Sequence, residues 1–368
     1  MPRFVKKALV LCPESPFPMY GGGPLRTASI LEYLRKRDFA VDLILFDAPS
    51  EPPGFEDVLS INLPKHSRSL AARLARNAIR FIRQVPPLVD RFSGYEKLMA
   101  KWLEGRTYDV AVIEHFWAAP YVDLLRKHAV RVVCDLHNVE SVWLKRMRLP
   151  FVGAARRLEH KLLPMFDTVL VTSKEDAARI PVPSVVYPNA LPFREKPVRP
   201  PVPAGQPRIA MSGNFDFAPN VQGARWFARN VWPQLDHIPW KLIGRCSDQM
   251  PFGVATGAVE DALPELARVE VAIVPLLAGS GTRLKILEAW AAGTPVVSTT
   301  IGCEGLGVTS GVELLIGDTP EEFADAVAKL LESKHLRAAL AIMGRRRYEQ
   351  EFTWPKAWEK LDEARALY

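Results

Sequence analysis

Short runs of aliphatic and β-branched residues alternate with helical stretches along almost the whole chain. Strands that are separated by helices of this length pair in parallel, because a parallel connection needs a crossover of a dozen residues or more. The pattern therefore predicts an α/β protein with parallel sheets. The predicted strands fall in two series, 7–12, 41–46, 109–113, 131–135 and 168–172, then 208–212, 240–244, 269–276, 295–299 and 312–316.

A proline-rich segment, PNALPFREKPVRPPVPAGQP, separates the two series. Proline interrupts both helices and sheets, and a chain of 368 residues is too long for one ordinary core. We therefore predict an N-terminal Rossmann-like domain at 1–187, a linker at 188–207, a second Rossmann-like domain at 208–351 and a terminal helix at 352–368. Ligands of open parallel sheets bind at the carboxyl ends of the strands, so both domains are expected to line one cleft.

The net charge of +7 favours an anionic partner, such as nucleic acid, a membrane surface or a phosphorylated substrate. No nucleic-acid-binding motif is present, which argues against the first of these. The four cysteines lie far apart in the sequence and form no disulfide or metal-binding pattern. We therefore predict reduced thiols in a cytoplasmic protein. No apolar run approaches the roughly 18 residues of a membrane span. The expected location is cytoplasmic, with peripheral attachment to the inner membrane face as a further hypothesis.

A glycine-rich loop enters a helix in the segment GSGTRLKILEAW, directly after the predicted strand at 269–276. Gly279 and Gly281 permit tight backbone turns, and Thr282 is placed to cap a helix that begins near Arg283. Free amide groups at a helix start, together with the positive end of the helix dipole, bind anions. The segment therefore predicts an anion site.

A carboxylate follows one turn into the same helix. Lys285 and Glu288 are three residues apart and share a helix face. From Arg283 to Glu288 the helix rises about 7.5 Å, which matches a ligand with phosphates at the helix start and ribose hydroxyls further along. The alternative is a surface lysine–glutamate pair on an ordinary helix.

The segment resembles the signature of the retaining glycosyltransferases of family 4, in the bacterial branch whose motif reads Gly-x-Gly-Thr-Arg-Leu-Lys-x-Leu-Glu-Ala. Weaker resemblances are GGG at 21–23, YPNA at 187–190, GAVED at 257–261 and TWPKAW at 353–358. The resemblance implies a GT-B fold and transfer of a sugar from a nucleotide-diphosphate donor to a sugar or lipid-linked acceptor with retention. It also implies that no metal or other cofactor is bound, and that the product is a bacterial surface polysaccharide or glycolipid.

Two other classes of function remain open on the same fold. One is a GT-B epimerase or phosphorylase, and the other is a non-catalytic subunit that binds sugar nucleotides or docks on a membrane. The base, the sugar and the acceptor are not specified by the sequence.

The resemblance assigns residues to the donor. Glu288 takes the ribose position, and Arg283 and Lys285 supply positive charge to the diphosphate. Many members carry a glutamate where this chain has Ser280, and many carry basic residues in the loop that reads SGNFDFAPN here. The full set predicted for the nucleotide and diphosphate is Glu288, Arg283, Lys285, Thr282, Gly281, Ser280, Gly213 and Val259.

Four histidines are predicted near the strand ends of the first domain, His66, His115, His137 and His160. His137 follows RVVCDL and resembles the histidine that lines the sugar pocket in the family, and His115 is the second choice for a catalytic role. The alternative for both is a structural histidine at the end of a strand.

The predicted sugar or acceptor side is completed by Gly21, Gly22, Gly23 and Glu304. The three glycines open a helix and permit close approach of a ligand to the backbone, and a simple strand-to-helix turn is the alternative. Glu304 follows a strand in TTIGCEGL and matches an acid near the donor site of the family; an ordinary loop residue is the alternative.

A basic amphipathic helix is predicted within residues 65–83. Its arginines recur at intervals of three and four, and its apolar residues occupy another face. The predicted partner of residues 68–83 is an anionic membrane surface. The alternative is an apolar face packed on the sheet with solvated arginines. The residues concerned are Arg73, Arg76, Arg80 and Arg83 on one face, with Leu70, Leu74 and Phe81 on the other.

Overall fold

The computed structural model describes residues 6–19, 21–47, 54–65, 69–236, 238–279 and 283–368, with the backbone alone for Arg73. The chain divides into two compact units. The first comprises residues 1–188 and 358–368, and the second comprises residues 189–357.

The first unit is a parallel sheet flanked by helices. Over the described residues its seven strands follow the order β3-β2-β1-β4-β5-β6-β7. The elements are β1 Lys6–Cys12, α1 Gly22–Lys36, β2 Phe39–Phe46, β3 Val58–Ile61, α2 Leu70–Arg83, α3 Pro87–Arg91, α4 Glu96–Leu103, β4 Tyr108–Glu114, α5 Val122–Leu125, β5 Ala129–Asp135, α6 Glu140–Arg146, α7 Val152–Leu162, β6 Thr168–Val171, α8 Lys174–Ala177 and β7 Val185–Val186.

The second unit has the same layered plan. Its described residues form six strands in the order β10-β9-β8-β11-β12-β13, again parallel. The elements are β8 Ile209–Ser212, α9 Ala218–Trp226, β9 Trp240–Ile243, β10 Val254–Ala255, α10 Leu263–Ala267, β11 Val271–Val274, α11 Leu284–Ala291, β12 Val296–Ser298, β13 Leu315–Ile316, α12 Pro320–Glu332, α13 Lys334–Glu351 and α14 Trp354–Glu363. The last helix begins in the second unit and ends in the first.

The predicted α/β class with parallel sheets is confirmed, and the strongly apolar strands are the ones that the sequence identifies. Central strands are buried on both faces, so they read as continuous apolar runs. Three edge strands were not predicted, β3, β7 and β10, and each has two to four residues. Their residues are half-buried or exposed for the most part, so they carry no apolar run to detect.

Predicted strand lengths are too long where proline or a turn intervenes. The strand predicted over 269–276 covers only Val271–Val274, and Pro275 follows it directly. The strand predicted over 312–316 is reduced to Leu315–Ile316, because a turn occupies the preceding residues. Residues 192–203 in the predicted linker form neither helix nor strand.

Aromatic side chains fill the core of the second unit. Trp240 on β9 packs against Phe227, with ring centroids 4.8 Å apart, and stacks on Phe252 at 5.7 Å. Trp290 on α11 is fully buried and faces α13, where Gly344 leaves room for its indole ring. The helix that carries the glycine-rich motif is therefore held by close packing against α13.

This packing predicts that Gly344→Val destabilises the second unit. A β-carbon at this position would overlap the indole ring of Trp290, and overpacking costs about 1–3 kcal/mol. The measurement is urea unfolding followed by tryptophan fluorescence. Gly153→Val is the matched control, since Gly153 is an exposed helical glycine whose β-carbon would meet only Arg157, at 3.6 Å. The control should stay within about 0.5 kcal/mol of wild type. Equal stability of all three proteins would contradict the packing argument.

Candidate active site

Neighbouring strands of the first unit each end in a buried acid. β4 ends at Glu114 and β5 at Asp135, and the register of the parallel pair places these two residues opposite each other. His115 follows the first acid, and His137 lies two residues beyond the second. All four side chains are buried at the carboxyl end of the sheet.

Arg26 of helix α1 is the cation of this cluster. Its Nε and Nη2 donate to the two carboxylate oxygens of Asp135, at 2.8 and 2.6 Å, and its Nη1 donates to the carbonyl oxygen of Tyr187 at 2.7 Å. The guanidinium also lies over the ring of Tyr187, 4.5 Å from its centroid. Burial raises the pKa of Asp135, and the Arg26 charge opposes that rise. This bidentate pair fixes the first turns of α1 against the end of β5.

His137 is held by Glu114. Its Nε2 lies 2.7 Å from Oε2 of Glu114, which also accepts from the hydroxyl of Thr27 at 3.0 Å. Burial raises the pKa of Glu114 to about 7, and burial lowers the pKa of His137, so the imidazole is neutral at physiological pH. Because the ring stays neutral, the ionisation of Glu114 decides which ring nitrogen carries the proton.

His115 is packed between two rings. It stacks on Trp117 with ring centroids 4.2 Å apart, and its centroid lies 3.6 Å from that of His137. Burial and the neighbouring His137 lower the pKa of His115 well below its usual value. Its Nε2 has no hydrogen-bond partner among the described residues, although a carboxylate oxygen of Glu14 lies 3.7 Å away. The two predicted histidines are therefore brought together, and Nε2 of His115 is buried without a hydrogen bond among the described residues.

The glycine turn at 21–23 lies beside these rings. Gly21, with φ of +99°, takes the N-cap position of α1, and Gly22 is the first helical residue. A β-carbon on Gly23 would lie 3.4 Å from Nε2 of His115 and 3.6 Å from Nδ1 of His137. The absent side chain thus lets the start of the helix approach both imidazole rings closely.

Sequence analysis missed Arg26, Glu114 and Asp135 and misplaced one histidine. The available signal is an acid at the carboxyl end of an otherwise apolar strand, which IEH and CDLH both contain. His160 was expected near the strand ends, but it is exposed on α7, because the amphipathic pattern of that helix turns it outward. His66 lies outside the described residues.

A metal ion is geometrically conceivable in this cluster. Glu114, Asp135 and His137 present three ligand atoms within 4.8 Å of one another. However, Arg26 already binds both carboxylate oxygens of Asp135, and its positive charge would repel a second cation. The cluster therefore fits an internal ion pair better than a metal centre.

In the second unit, the glycine-rich motif presents two cations beside the start of α11. The helix begins at Leu284, and Arg283 takes the N-cap position with an extended backbone. The prediction that Thr282 occupies the cap is therefore wrong by one position, because the helical backbone starts one residue later. Ser280, Gly281 and Thr282 themselves lie outside the described residues.

The N-cap position of Arg283 changes the direction of its side chain. Its guanidinium lies against Gly279, and Nη2 is 3.4 Å from the carbonyl oxygen of Ile301. On a continuous helix Arg283 and Lys285 would point about 200° apart. The backbone at Arg283 is not helical, so this 200° separation does not apply to the two side chains.

Lys285 is held by neutral groups. Its Nζ donates to the side-chain oxygen of Asn220, whose amide nitrogen donates to the carbonyl oxygen of Asn214 at 2.8 Å. Burial, together with the nearby Arg283 charge, lowers the pKa of Lys285 to about 7. A β-carbon on Gly213 would lie 3.4 Å from this Nζ and closer still to the Asn220 amide. Gly213, directly after β8, therefore leaves room for the Asn220 amide and the Lys285 side chain.

Glu288 lies one turn further along α11. Its Oε2 accepts from the hydroxyl of Ser212 at 3.3 Å. Burial raises the pKa of Glu288 to about 7, while Lys285 and Ser212 oppose the rise. The helix start thus carries two basic side chains, and a half-buried carboxyl group follows one turn later, as the motif predicts.

The remaining predicted residues lie in loops of the second unit. Val259 is half-buried between β10 and α10. Glu304 is half-buried in the turns after β12, the same segment whose Ile301 carbonyl contacts Arg283. Gly213 is beside Lys285, as described above.

Known proteins match this chain over both units. Residues 21–190 match the glycosyl transferase 4-like domain, and residues 206–333 match glycosyl transferases group 1. A protein in the cps region of Klebsiella pneumoniae, of 44.6 kDa, is 22% identical, with 86% of this chain and 89% of that protein covered.

Similar solved structures cover nearly the full length of the chain. Sucrose-phosphate synthase from Thermosynechococcus elongatus has a TM-score of 0.75 at 17% identity, with 98% of this chain and 99% of that chain covered. HepE of Anabaena, in complex with UDP and glucose, has a TM-score of 0.65 at 15% identity, with 98% and 100% covered. A mutant of S. aureus TarM, in complex with fondaparinux, α-GlcNAc-glycerol and UDP, has a TM-score of 0.67 at 11% identity, with 97% and 99% covered.

The fold and the two domain matches agree in order and extent. The 4-like match falls on the unit that carries the Arg26–Asp135 and Glu114–His137 contacts, and the group 1 match falls on the unit that carries Lys285 and Glu288. The chain is thus a GT-B protein composed of a glycosyl transferase 4-like domain followed by a glycosyl transferases group 1 domain.

Proposed function

We propose that this protein transfers a sugar, with retention of configuration, from a nucleoside-diphosphate donor to a hydroxyl acceptor in the synthesis of a bacterial surface polysaccharide. The observation that carries the proposal is the group of Arg283, Lys285 and Glu288 at the start of α11. Two cations at a helix start suit a diphosphate, and a carboxylate one turn further suits ribose hydroxyls. Support for the pathway comes from the relative in the Klebsiella pneumoniae cps region.

In the proposed reaction the bond between the anomeric carbon and the diphosphate breaks, and the acceptor oxygen bonds to that carbon on the same face. The acceptor hydroxyl gives its proton to the departing phosphate oxygen on that face, and the nucleoside diphosphate leaves. Lys285 and Arg283, with the amide groups at the helix start, stabilise the charge that develops on the leaving group. These protein cations take the part that a metal ion plays in other transferases, so chelation is expected to leave turnover unchanged.

Residues of the first unit complete the proposal. His137 is assigned to the reacting sugar, and Glu114 is the positioning residue that holds its Nε2. When Glu114 is ionised it accepts from Nε2–H, and Nδ1 is then an acceptor for a sugar hydroxyl. His115 is the second candidate for a sugar contact, through the Nε2 that has no hydrogen-bond partner among the described residues.

The first prediction is that Glu288→Ala weakens binding of a nucleoside diphosphate. UDP is the first ligand to test, because HepE and TarM are both described in complex with UDP. The loss of a charged hydrogen-bond acceptor costs about 1.5–3 kcal/mol, or roughly 10- to 150-fold in Kd. The measurement is titration calorimetry with UDP, GDP and ADP on the full chain.

The control for Glu288 is Ser212→Ala, which removes the hydroxyl contact and keeps the carboxylate. This variant should bind within a few-fold of wild type. Unchanged UDP, GDP and ADP binding by Glu288→Ala would refute the ribose assignment. If wild type binds a diphosphate but a panel of nucleotide sugars yields only epimerised or hydrolysed donor with any acceptor, the transferase proposal fails and the donor site stands.

A second prediction is that diphosphate affinity falls as the pH rises from 7.5 to 9. The pKa of Lys285 is lowered to about 7 in the free protein, and a bound anion must raise it. Binding then takes up a proton, so Kd rises by up to about tenfold per pH unit until the pKa of the complex is reached. Above pH 7.5 the diphosphate is already fully ionised, so the ligand adds little to this slope.

Lys285→Arg is the matched variant, because arginine keeps its charge throughout this range. Its diphosphate Kd should not rise between pH 7.5 and 9. The pKa of Glu288, raised to about 7, works in the opposite direction, since its carboxylate form is the one that accepts from ribose. An equal alkaline loss of affinity in both proteins would exclude Lys285 as the titrating group.

The third prediction concerns turnover at saturating donor. We expect kcat to rise with pH through about 7, because ionisation of Glu114 places the proton of His137 on Nε2. Glu114→Gln should abolish this inflection, since the amide NH₂ donates to Nε2 and leaves the proton on Nδ1. His137→Ala should lower kcat far more than it weakens UDP binding.

Thr27→Val tests whether the inflection belongs to Glu114. The hydroxyl of Thr27 donates to the same carboxylate oxygen and favours its ionised form, so its removal should shift the inflection to higher pH without abolishing it. An inflection that persists unchanged in Glu114→Gln would assign the titration to another group. Retained turnover in His137→Ala would transfer the role to His115.

A further inference from the structure

Helix α2 carries its apolar side chains on the outside of the first unit. The helix spans Leu70–Arg83, with Ser69 at the N-cap accepting from the amide of Ala72. Its large apolar side chains are between 52% and 80% exposed, which is the reverse of an ordinary surface helix. These exposed side chains are Leu70, Leu74, Ile79, Phe81 and Ile82.

The opposite side of α2 faces the protein. Arg80 Nε lies 2.9 Å from one carboxylate oxygen of Asp90 on α3, and Arg83 Nη1 lies 3.0 Å from the other. At about 100° per residue, Arg76, Arg80 and Arg83 fall within a sector of roughly 60°, and the large apolar residues fall within the opposite half. The alternative of an apolar face packed on the sheet is therefore wrong, because Asp90 attracts the basic face instead.

We propose that α2 is an in-plane membrane anchor whose apolar face inserts into the surface of an anionic bilayer. A helix of 14 residues is about 21 Å long, and its apolar side chains are spread over all four turns. A helix with one apolar and one basic face lies parallel to the bilayer with its apolar side chains below the headgroups. The long arginine side chains at the edge of that face reach upward to lipid phosphates.

Charge complementarity favours a lipid surface as the occupant. The sequence of α2, LAARLARNAIRFIR, contains no acid, and Asp90 is shared between two arginines. The helix and its acid partner therefore retain net positive charge beside an exposed apolar face. An anionic bilayer accepts both features at once, because its headgroups attract arginine and its acyl chains accept leucine, isoleucine and phenylalanine.

This inference does not rest on the proposed sugar transfer. Membrane binding by α2 is measured without donor or acceptor. A negative result with vesicles would therefore leave the proposed donor site unchanged. Within the part of the chain that the structure describes, no helix is long and apolar enough to cross a bilayer. The proposal concerns attachment at the surface alone.

The test is co-sedimentation of the full chain with vesicles of phosphatidylglycerol and phosphatidylcholine, and with vesicles of phosphatidylcholine alone. The variant Ile79→Ser with Ile82→Ser should lower the partition coefficient for anionic vesicles about tenfold or more, since two apolar side chains lose their insertion. The matched control is Leu98→Ser with Ile342→Ser, which removes two exposed apolar side chains from other helices. This control should bind as wild type does.

A second variant separates charge from insertion. Arg76→Gln with Arg83→Gln should weaken binding to anionic vesicles at 0.1 M salt, where the Debye length is about 10 Å. Wild type should retain a salt-resistant fraction at 1 M salt, where the screening length falls to about 3 Å, and Ile79→Ser with Ile82→Ser should lose that fraction. Equal sedimentation of wild type and both α2 variants would overturn the proposal.

Folding and self-association are checked on the same samples. Circular dichroism of Ile79→Ser with Ile82→Ser should match wild type, and the single change Ile82→Ser, at the most exposed of these positions, carries the test if it does not. Light scattering without lipid should give the same mass for wild type and the α2 variants. A wild-type dimer that the α2 substitutions dissociate would show that a second copy covers this face, and it would overturn the membrane proposal.

Discussion

The bidentate ion pair between Arg26 and Asp135 is the contact on which the candidate site of the first unit depends. It joins the second turn of α1 to the end of β5, and the third donor of the guanidinium binds the carbonyl oxygen of Tyr187. A buried guanidinium survives only where its donors are satisfied, and removing one partner of such a pair costs about 3–5 kcal/mol. The start of α1, with Gly23 beside the two imidazoles, is therefore placed by a charge and not by apolar packing alone.

The same pair sets the protonation of its neighbours. The Arg26 charge lowers the pKa of Glu114 against the larger effect of burial, so that the carboxyl titrates near neutrality and is not permanently protonated. Burial lowers the pKa of His137 and keeps the imidazole neutral, and the Arg26 charge adds to this effect. One buried cation thus favours an ionised Asp135 and lets Glu114 titrate near neutrality beside a neutral His137.

The second unit has the opposite electrostatic character. Lys285 donates to the neutral amide oxygen of Asn220, and the lowered pKa of this lysine reports a cation that lacks a full counter-charge. Such a group gains most from an anionic ligand, because the ligand restores the charged form that burial disfavours. In the first unit Asp135 is already paired with a cation of the protein, whereas the basic side chains of the second unit are suited to an anionic ligand.

The fold could be predicted from the sequence where local pattern and tertiary environment agree. The central strands β1, β4, β5 and β8 are buried on both faces, so their apolar runs are unambiguous. Edge strands such as β3 have only one neighbour in the sheet, and their half-exposed residues show no pattern. The helix α11 and the order of its polar groups were also predictable, because glycine loop, basic residues and carboxylate follow one another within ten residues.

Contacts between distant segments could not be predicted in this way. Arg26 and Asp135 are 109 residues apart, and no local pattern relates an arginine in a helix to an acid at a strand end. The orientation of α2 could not be predicted from the sequence either. Its amphipathic pattern defines an apolar and a basic face, but a single acid on the next helix, Asp90, decides which face turns inward. An amphipathic pattern therefore specifies that a helix has an apolar and a basic face. Which face stays exposed depends on the residues that the helix packs against, here the carboxylate of Asp90.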